Sequence, residues 1–346
     1  MQDRFLESYS ESTGPDGSRV RRYEHVAMAT WNIILLVERP DGPPPALLDR
    51  AAAGAFELVT ELEEELSKFI PESEVGLLNA LAATEPVVVS ERVFELLEVS
   101  KRYHETTRGA FDPTIAPLMA VWGFDSGEGR VPSDDELSGA LQQCGIDHVQ
   151  LDGDRGAVRF DRAGVGVDLG AIGKGFIVDR AVEHIKALGV DDGALVSGRS
   201  TVTVWGQSPR NEPWLVGVAD PRSPNDSIVE LRVADGSIST SAAYEKRFEI
   251  AGVDYGHVLD PRTGRPVSRC RGVSVWTPTA LRGDVASTAL FVLGRIEGEE
   301  ILDDFAPIAA FFLEDEGLGG DAKEARLRVV ECRSSGEVPG IEVVEP

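Results

Sequence analysis

The 346-residue chain is 42% hydrophobic, which is enough to bury a sizeable core in one large domain or two closely packed ones. Acidic residues outnumber basic residues 59 to 34, and the net charge of −25 argues against a nucleic-acid groove or an anionic membrane surface as partner. The 3 cysteines have no C-x-x-C spacing, so they indicate neither a disulfide framework nor a zinc site. Because the chain has no signal-peptide core and no apolar run long enough to span a bilayer, we expect a soluble cytoplasmic protein without membrane insertion.

The N-terminal region predicts a flexible segment followed by a strand. Residues 1–22 mix charges with Ser and Gly and are expected to be flexible, so the folded domain is predicted to extend over 23–346. The apolar run at 28–37 predicts the first strand, which the proline-rich segment at 40–45 ends.

Helices are predicted next. Leucine, alanine and phenylalanine recur at helical spacing over 48–69, and Pro71 ends that pattern. Ser73 and Glu74 suit a helix start, although a plain turn between helices is the alternative interpretation. A further helix is predicted over 90–107.

Asp112 is the first candidate for a functional residue. The Asp112-Pro113 pair marks a turn into a short apolar helix, and Gly109 permits a close approach of the backbone to another group. Asp112 is either a helix cap or, with the aromatic ring of Phe111, part of a surface that stacks on a planar ligand. The residue pattern leaves both interpretations open.

The segment at 165–185 predicts a strand that delivers Asp168 into a glycine-rich turn, followed by an amphipathic helix. Gly170, Gly173 and Gly175 permit close backbone approach, and the N-terminus of the helix suits an anionic ligand. Lys174 adds a cation there, in a chain in which lysine is rare. The glycine spacing matches neither the dinucleotide fingerprint nor the P-loop, so a tight structural turn is the competing interpretation.

The middle of the chain changes to strand periodicity. Short apolar runs separated by Gly, Pro and Asp over 194–250 predict a mainly antiparallel sheet. His257 follows just before an Asp-Pro turn, where a structural histidine is the default interpretation.

The segment at 273–294 predicts a strand and then a helix that is apolar almost all round and therefore buried. Asp284 and Thr288 lie four residues apart, on one face of this helix. A buried carboxylate needs a partner, and Asp with a hydroxyl one turn later suits Mg²⁺. The alternative is that Asp284 caps the helix while Thr288 bonds to the backbone.

Six motifs occur in an order that resembles the ApbE family of flavin transferases. They are MAT at 28–30, SKFIPESEVGLLN at 67–79, GAFDPTIAPL at 109–118, VDLGAIGKGFIVD at 167–179, HVLDPRTGRPV at 257–267 and DVASTALFVLG at 284–294. The resemblance implies an α+β fold with a mixed, largely antiparallel sheet flanked by helices, as one domain or as two lobes with an FAD cleft between them.

The resemblance also implies a set of site residues. FAD would be contacted by Met28, Phe69, Ala110, Phe111, Asp112, Asp168, Lys174 and His257. Mg²⁺ would be held by Asp284, Thr288 and the backbone carbonyl of Ala171. Asp284 and His257 are the catalytic candidates, and Asp284 is placed to assist removal of a proton from the acceptor hydroxyl.

The implied reaction is Mg²⁺-dependent transfer of FMN from FAD to a Ser or Thr hydroxyl of an acceptor protein, with release of AMP. Hydrolysis of FAD to FMN and AMP, and a non-catalytic FAD-binding role, are the alternatives. Two departures from the family pattern motivate the non-catalytic alternative. Arg199 stands where relatives tend to carry a glycine, and Ser287 stands where some relatives have a second Asp.

Overall fold

An eight-stranded antiparallel sheet forms the centre of the structure, a computed structural model that describes residues 13–220, 223–242, 247–267, 269–316, 326–338 and 340–344. In chain order the strands of the described part are β1 Arg19–Ala27, β2 Thr30–Glu38, β3 Val87–Val88, β4 Val149–Asp152, β5 Ala157–Phe160, β6 Gly193–Ser197, β7 Thr201–Trp205, β8 Trp214–Asp220, β9 Ser223–Val233, β10 Gly236–Ala242, β11 Arg247–Ile250, β12 Val253–Gly256, β13 Leu259–Asp260, β14 Arg265–Pro266, β15 Gly272–Thr277, β16 Ala309–Glu316, β17 Arg326–Arg333 and β18 Ile341–Val344. The central sheet has the order β1-β2-β6-β7-β10-β15-β16-β17.

Helices cover one face of this sheet. The α-helices among the described residues are α1 Pro45–Leu66, α2 Glu74–Leu81, α3 Glu91–Thr106, α4 Ala116–Val121, α5 Asp134–Leu141, α6 Gly173–Ala187 and α7 Ala280–Glu299. Ser73 and Ser90 cap α2 and α3 through their side-chain oxygens, as the sequence suggests for Ser73. The predicted α+β fold with a largely antiparallel sheet is confirmed.

The alternation of side chains along β2 separates two cores. Ile34 and Leu36 point towards the helices and join the main core with α1, α6 and α7. Ile33 and Leu35 point to the other face, where the three-stranded sheet β18-β9-β8 covers them. A smaller cluster around Trp122 packs α4 and α5 against β13.

Two strands differ from the sequence-based expectation. β1 begins at Arg19, four residues before the predicted domain start, and pairs with β2 along its whole length. Residues 1–12 of the predicted flexible segment lie outside the described residues, and the proposed domain division stays a prediction. β10 was not predicted, because its sequence GSISTSA carries serines rather than apolar residues on the face that packs against α7.

The residues before the glycine-rich turn do not form the predicted strand. The backbone N–H of Val167 donates to Asn79 Oδ1 at 2.7 Å, and its carbonyl accepts from Asn79 Nδ2 at 2.8 Å. The N–H of Asp168 donates to the carbonyl of Pro113 at 2.7 Å. A side-chain amide and a loop therefore replace the neighbouring strand.

Among the helices of the described part, none is long and apolar enough to cross a bilayer.

Candidate active site

Two hairpin turns lie side by side at one end of the central sheet. The turn between β1 and β2 contains Met28, which has a left-handed backbone conformation with φ of 55° and packs against the main core. The turn between β6 and β7 starts at Gly198, whose N–H donates to the carbonyl of Trp31 at 2.8 Å. At the end of that turn, Ser200 is hydrogen-bonded to the ammonium of Lys174 in the first turn of α6. Arg199, whose side chain is exposed, lies between Gly198 and Ser200 in the sequence.

The N-termini of α6 and α7 cap each other. Ile172, at the N-cap position of α6, has no side-chain oxygen, and Asp284 from α7 accepts the N–H of Gly175 at 2.7 Å. In return, Asp179 from α6 accepts the N–H groups of Ala280 at 2.7 Å and Leu281 at 2.9 Å. Each helix therefore supplies the carboxylate that its partner lacks.

Gly175 is required for this contact. A Cβ atom at this position would lie 2.4 Å from the carbonyl oxygen of Ala280. The sequence interpretation assigned this glycine to the approach of a ligand, whereas the structure shows that it admits the backbone of α7.

Asp284 is a buried carboxylate with several polar neighbours. Its side chain accepts a hydrogen bond from Thr201 Oγ1 at 3.1 Å in addition to that from Gly175. Burial raises the pKa of Asp284, while the charge of Lys174 and these hydrogen bonds oppose that shift. The N-cap residue of α7 is Thr279, so the alternative that Asp284 caps its own helix is wrong.

The predicted metal ligands share one region of the structure. Thr288 lies one turn after Asp284 in α7, and its hydroxyl is 3.4 Å from Ser241 Oγ in β10. Ser287 instead donates to the carbonyl of Asp284 at 3.2 Å. Ala171 belongs to the turn that leads into α6.

The donor set is chemically suited to a hard divalent cation. It combines one buried carboxylate, whose pKa is raised by burial, with neutral hydroxyl and carbonyl oxygens. Within the described ranges, no group of three or more His, Cys, Asp or Glu side chains is arranged to hold a metal. The binding of Mg²⁺ therefore stays a prediction that rests on a single carboxylate.

Asp168 is held by a lysine that the sequence interpretation did not single out. Lys68 Nζ lies 2.8 Å from Asp168 Oδ2 and 2.6 Å from Asp125 Oδ1. The other oxygen of Asp168 accepts the N–H of Gly170 at 2.8 Å. Next to this lysine, the ring of Phe69 is 68% exposed.

Residues 110–112 are buried and do not form a surface on which a planar ligand could stack. Phe111 is 2% exposed and packs in the main core, so its ring offers no free face to a planar ligand. Asp112 Oδ1 accepts the N–H of Thr114 at 2.8 Å, and Asp112 Oδ2 lies 3.3 Å from His104 Nδ1. Asp112 thus organises the turn before α4, but it does not cap that helix, because the N-cap residue is Ile115 and no side chain among the described residues bonds to the first turn. Ala110 is buried beside Phe111.

His257 lies in a bend between β12 and β13 and is partly buried. The hairpin that follows is hydrogen-bonded to the end of α4, because Trp122 Nε1 donates to the carbonyl of Gly264 at 2.7 Å. Arg262 in this hairpin also approaches the third motif, with its Cγ 3.7 Å from the position of a Cβ on Gly109. The third and fifth sequence motifs are thereby brought together.

Two surface cavities, of about 510 and 380 Å³, lie elsewhere and are lined mainly by side chains of α1 and its neighbours. None of the residues lining them is a predicted site residue. The candidate active site is therefore the region where the motifs converge, because neither cavity is lined by a residue of the six motifs.

Comparison with known proteins shows the family of the chain. The sequence profile of the ApbE family matches residues 28–312. The chain belongs to the ApbE family. An ApbE relative from Treponema pallidum (strain Nichols), named FAD:protein FMN transferase, is 31% identical over 333 residues, which cover 91% of this chain and 91% of the relative. One of the same name from Klebsiella pneumoniae (strain 342) is 31% identical over 298 residues, with coverage of 86% and 90%.

Solved ApbE structures share the fold. The ApbE protein of Thermotoga maritima has a TM-score of 0.78 and 28% identity, covering 92% of this chain and 97% of its own. The apo form of the Pseudomonas stutzeri flavinyl transferase ApbE has a TM-score of 0.77 and 29% identity, with coverage of 92% and 95%. As an ApbE protein, the chain is a flavin transferase, as the resemblance predicted.

Several residues that shape the site were missed from the sequence. Asp179 and Asn79 stand inside the quoted motifs without an assigned role, and each bonds to backbone groups of another segment. Thr201, Lys68 and Asp125 had no local signal that marked them as partners of site carboxylates.

Proposed function

We propose that the chain transfers FMN from FAD to a Ser or Thr hydroxyl of an acceptor protein, with Mg²⁺ bound and AMP released. The interlocked N-termini of α6 and α7, with Asp284 buried between them, are the observation that carries this proposal. The names of the ApbE relatives support FAD as the flavin donor and a protein as the acceptor.

The first turn of α6 suits the pyrophosphate of FAD. Backbone N–H groups and the helix dipole favour an anion at this end of the helix, and Lys174 adds a full positive charge. Such local groups are needed because the whole chain carries a net charge of −25. The same residues would hold the phosphorus in place for attack by the acceptor hydroxyl.

Asp284, Thr288 and the carbonyl of Ala171 are the residues that would hold Mg²⁺. When bound, the metal neutralises charge on the pyrophosphate and on the departing AMP. Asp284 keeps a fixed orientation because Gly175 and Thr201 each donate a hydrogen bond to it.

The reaction exchanges the phosphoanhydride bond of FAD for a phosphoester bond to the acceptor. The hydroxyl oxygen of the acceptor forms a bond to the phosphorus of the FMN half, and the bond from that phosphorus to the bridging oxygen breaks. AMP leaves with that oxygen, and the hydroxyl loses its proton. Asp284 and His257 are the groups that we assign to accept this proton.

The experiment combines the purified chain, FAD, Mg²⁺ and candidate acceptor proteins that carry Ser or Thr in an exposed segment. We expect a covalently fluorescent acceptor band and a matching amount of AMP, both lost when EDTA is added. Asp284→Asn should abolish both products. The control Asp304→Asn makes the same change at an exposed position and should leave both products unchanged.

Three outcomes separate the proposal from its alternatives. Release of AMP at the same rate without any acceptor would establish hydrolysis of FAD in place of transfer. Binding of FAD with no product under any condition would establish a non-catalytic role. Full activity of Asp284→Asn, or full activity in EDTA, would refute the assignment of this site.

A further inference from the structure

Just after α1, a lysine side chain is largely buried and the phenylalanine beside it is exposed, which is the opposite of the usual pattern. The side chain of Lys68 is only 9% exposed, whereas the neighbouring Phe69 is 68% exposed. Lysine is among the residues that are rarely buried without a partner, and a phenylalanine ring is normally buried. The two exceptions occur together, and the Lys68 ammonium lies 5.0 Å from the centre of the Phe69 ring.

Lys68 joins three segments that are far apart in the sequence. It follows α1, while Asp125 follows α4 and Asp168 precedes the glycine-rich turn into α6. The ammonium is 2.6 Å from Asp125 and 2.8 Å from Asp168, so both carboxylates are bound by one cation. The carboxylate of Asp168 has its second oxygen on the N–H of Gly170, which fixes its position relative to the turn.

The lysine is charged in this environment. Burial alone would lower the pKa of Lys68, but the charge of Asp168 and the contacts with Asp125 outweigh it and raise the pKa above its ordinary value. Lys68 and its two carboxylates together carry one net negative charge. Without the lysine they would carry two.

We propose that Lys68 is a positioning residue for the flavin nucleotide. It holds Asp168 and the ring of Phe69 in one wall of the site, and it neutralises Asp168 so that the wall does not repel an anionic ligand. The inference rests on the proposed function, since it takes FAD as the ligand that binds beside the glycine-rich turn.

The charges give opposite expectations for two variants. Lys68→Met keeps the length of the side chain but leaves two carboxylates facing an anion, so the Kd for FAD should rise by about tenfold or more. Asp125→Asn keeps the bond between Lys68 and Asp168 and removes one negative charge, so FAD should bind about twofold to threefold more tightly. Lys68→Arg keeps the charge and should stay within about threefold of the wild type.

The test is a titration of each full-length variant with FAD, followed by flavin fluorescence at constant Mg²⁺ and ionic strength. Thermal denaturation of each variant shows whether it is folded. If Lys68→Met does not fold, the direction in which Asp125→Asn changes the Kd for FAD still tests the inference, because this variant retains the buried ion pair between Lys68 and Asp168.

A purely structural role would weaken FAD binding in both variants in proportion to their loss of stability. Weaker binding by Asp125→Asn, or an unchanged Kd for a folded Lys68→Met, would therefore overturn the inference. Failure of the wild-type chain to bind FAD would instead refute the proposed function, so the two failures are distinguishable.

Discussion

Asp179→Asn tests the mutual capping of α6 and α7. In the wild type, the two carboxylate oxygens of Asp179 accept the N–H groups of Ala280 and Leu281. An asparagine offers one oxygen and turns an NH₂ group towards the second N–H, so the variant loses one cap bond and the charge.

Burial raises the pKa of Asp179 from 3.8 to about 6, against the effect of its two backbone hydrogen bonds. Because the folded state binds the proton more tightly than the unfolded state, the stability that Asp179 contributes is fully present below pH 3.8. It is lost as pH rises through about 6. A shift of about two units corresponds to about 3 kcal/mol in total, of which about 1.5 kcal/mol falls between pH 5 and pH 8.

The assay is urea denaturation of the wild type and Asp179→Asn at several pH values between 5 and 8, a range in which the acidic chain keeps most of its charge. We expect the advantage of the wild type over the variant to shrink by about 1.5 kcal/mol across this range. The matched control is Asp134→Asn, which makes the same change at the start of α5, where the side chain is 92% exposed. A difference between wild type and Asp179→Asn that stays constant with pH would refute the reasoning.

Three further substitutions probe the same region, each followed by urea denaturation. Thr201→Val removes the hydroxyl that donates to Asp284, so we expect a loss of about 1.5 to 3 kcal/mol and slower release of AMP from FAD; unchanged stability and rate would contradict this. Gly175→Ala places a Cβ 2.4 Å from a backbone carbonyl oxygen and should lower the free energy of unfolding by about 3 kcal/mol or more. The control Gly139→Ala in α5 adds a carbon with no atom within 4 Å and should be neutral or stabilising, so equal effects of the two would refute the steric argument. Asn79→Leu leaves a buried backbone N–H and carbonyl without their partner and should cost about 2 kcal/mol or more, and a variant as stable as the wild type would show that the clamp is dispensable.

The helices were predictable because their signals are local. The apolar spacing over 48–69 follows from one face of α1 packing in the main core, although the helix itself ends at Leu66. Ser73 marks the start of α2 because its hydroxyl accepts the N–H of Gly76, a contact within a single turn. The glycine-rich turn and α6 were recognisable for the same reason.

The strand β10 was not predictable from its own residues. It lies in the middle of the central sheet, yet Ser237, Ser239 and Ser241 face the helices. A Cβ on Gly283 would lie 2.6 Å from Ser239 Oγ, and Ser241 donates to Ser287 at 3.0 Å. Because α7 packs so closely, this face of β10 carries small serines, and the strand lacks the alternating apolar residues by which a buried strand is normally predicted.

The sequence by itself determined the class of fold, the order of the six motifs and the residues that the ApbE resemblance places at the flavin site. The tertiary structure decided how these parts meet. Asp284 caps α6, Asp179 caps α7, and Lys68 holds Asp168 together with Asp125. These contacts join segments far apart in the chain, and no local periodicity encodes which distant carboxylate a helix end or an ammonium will meet when the sheet and helices pack.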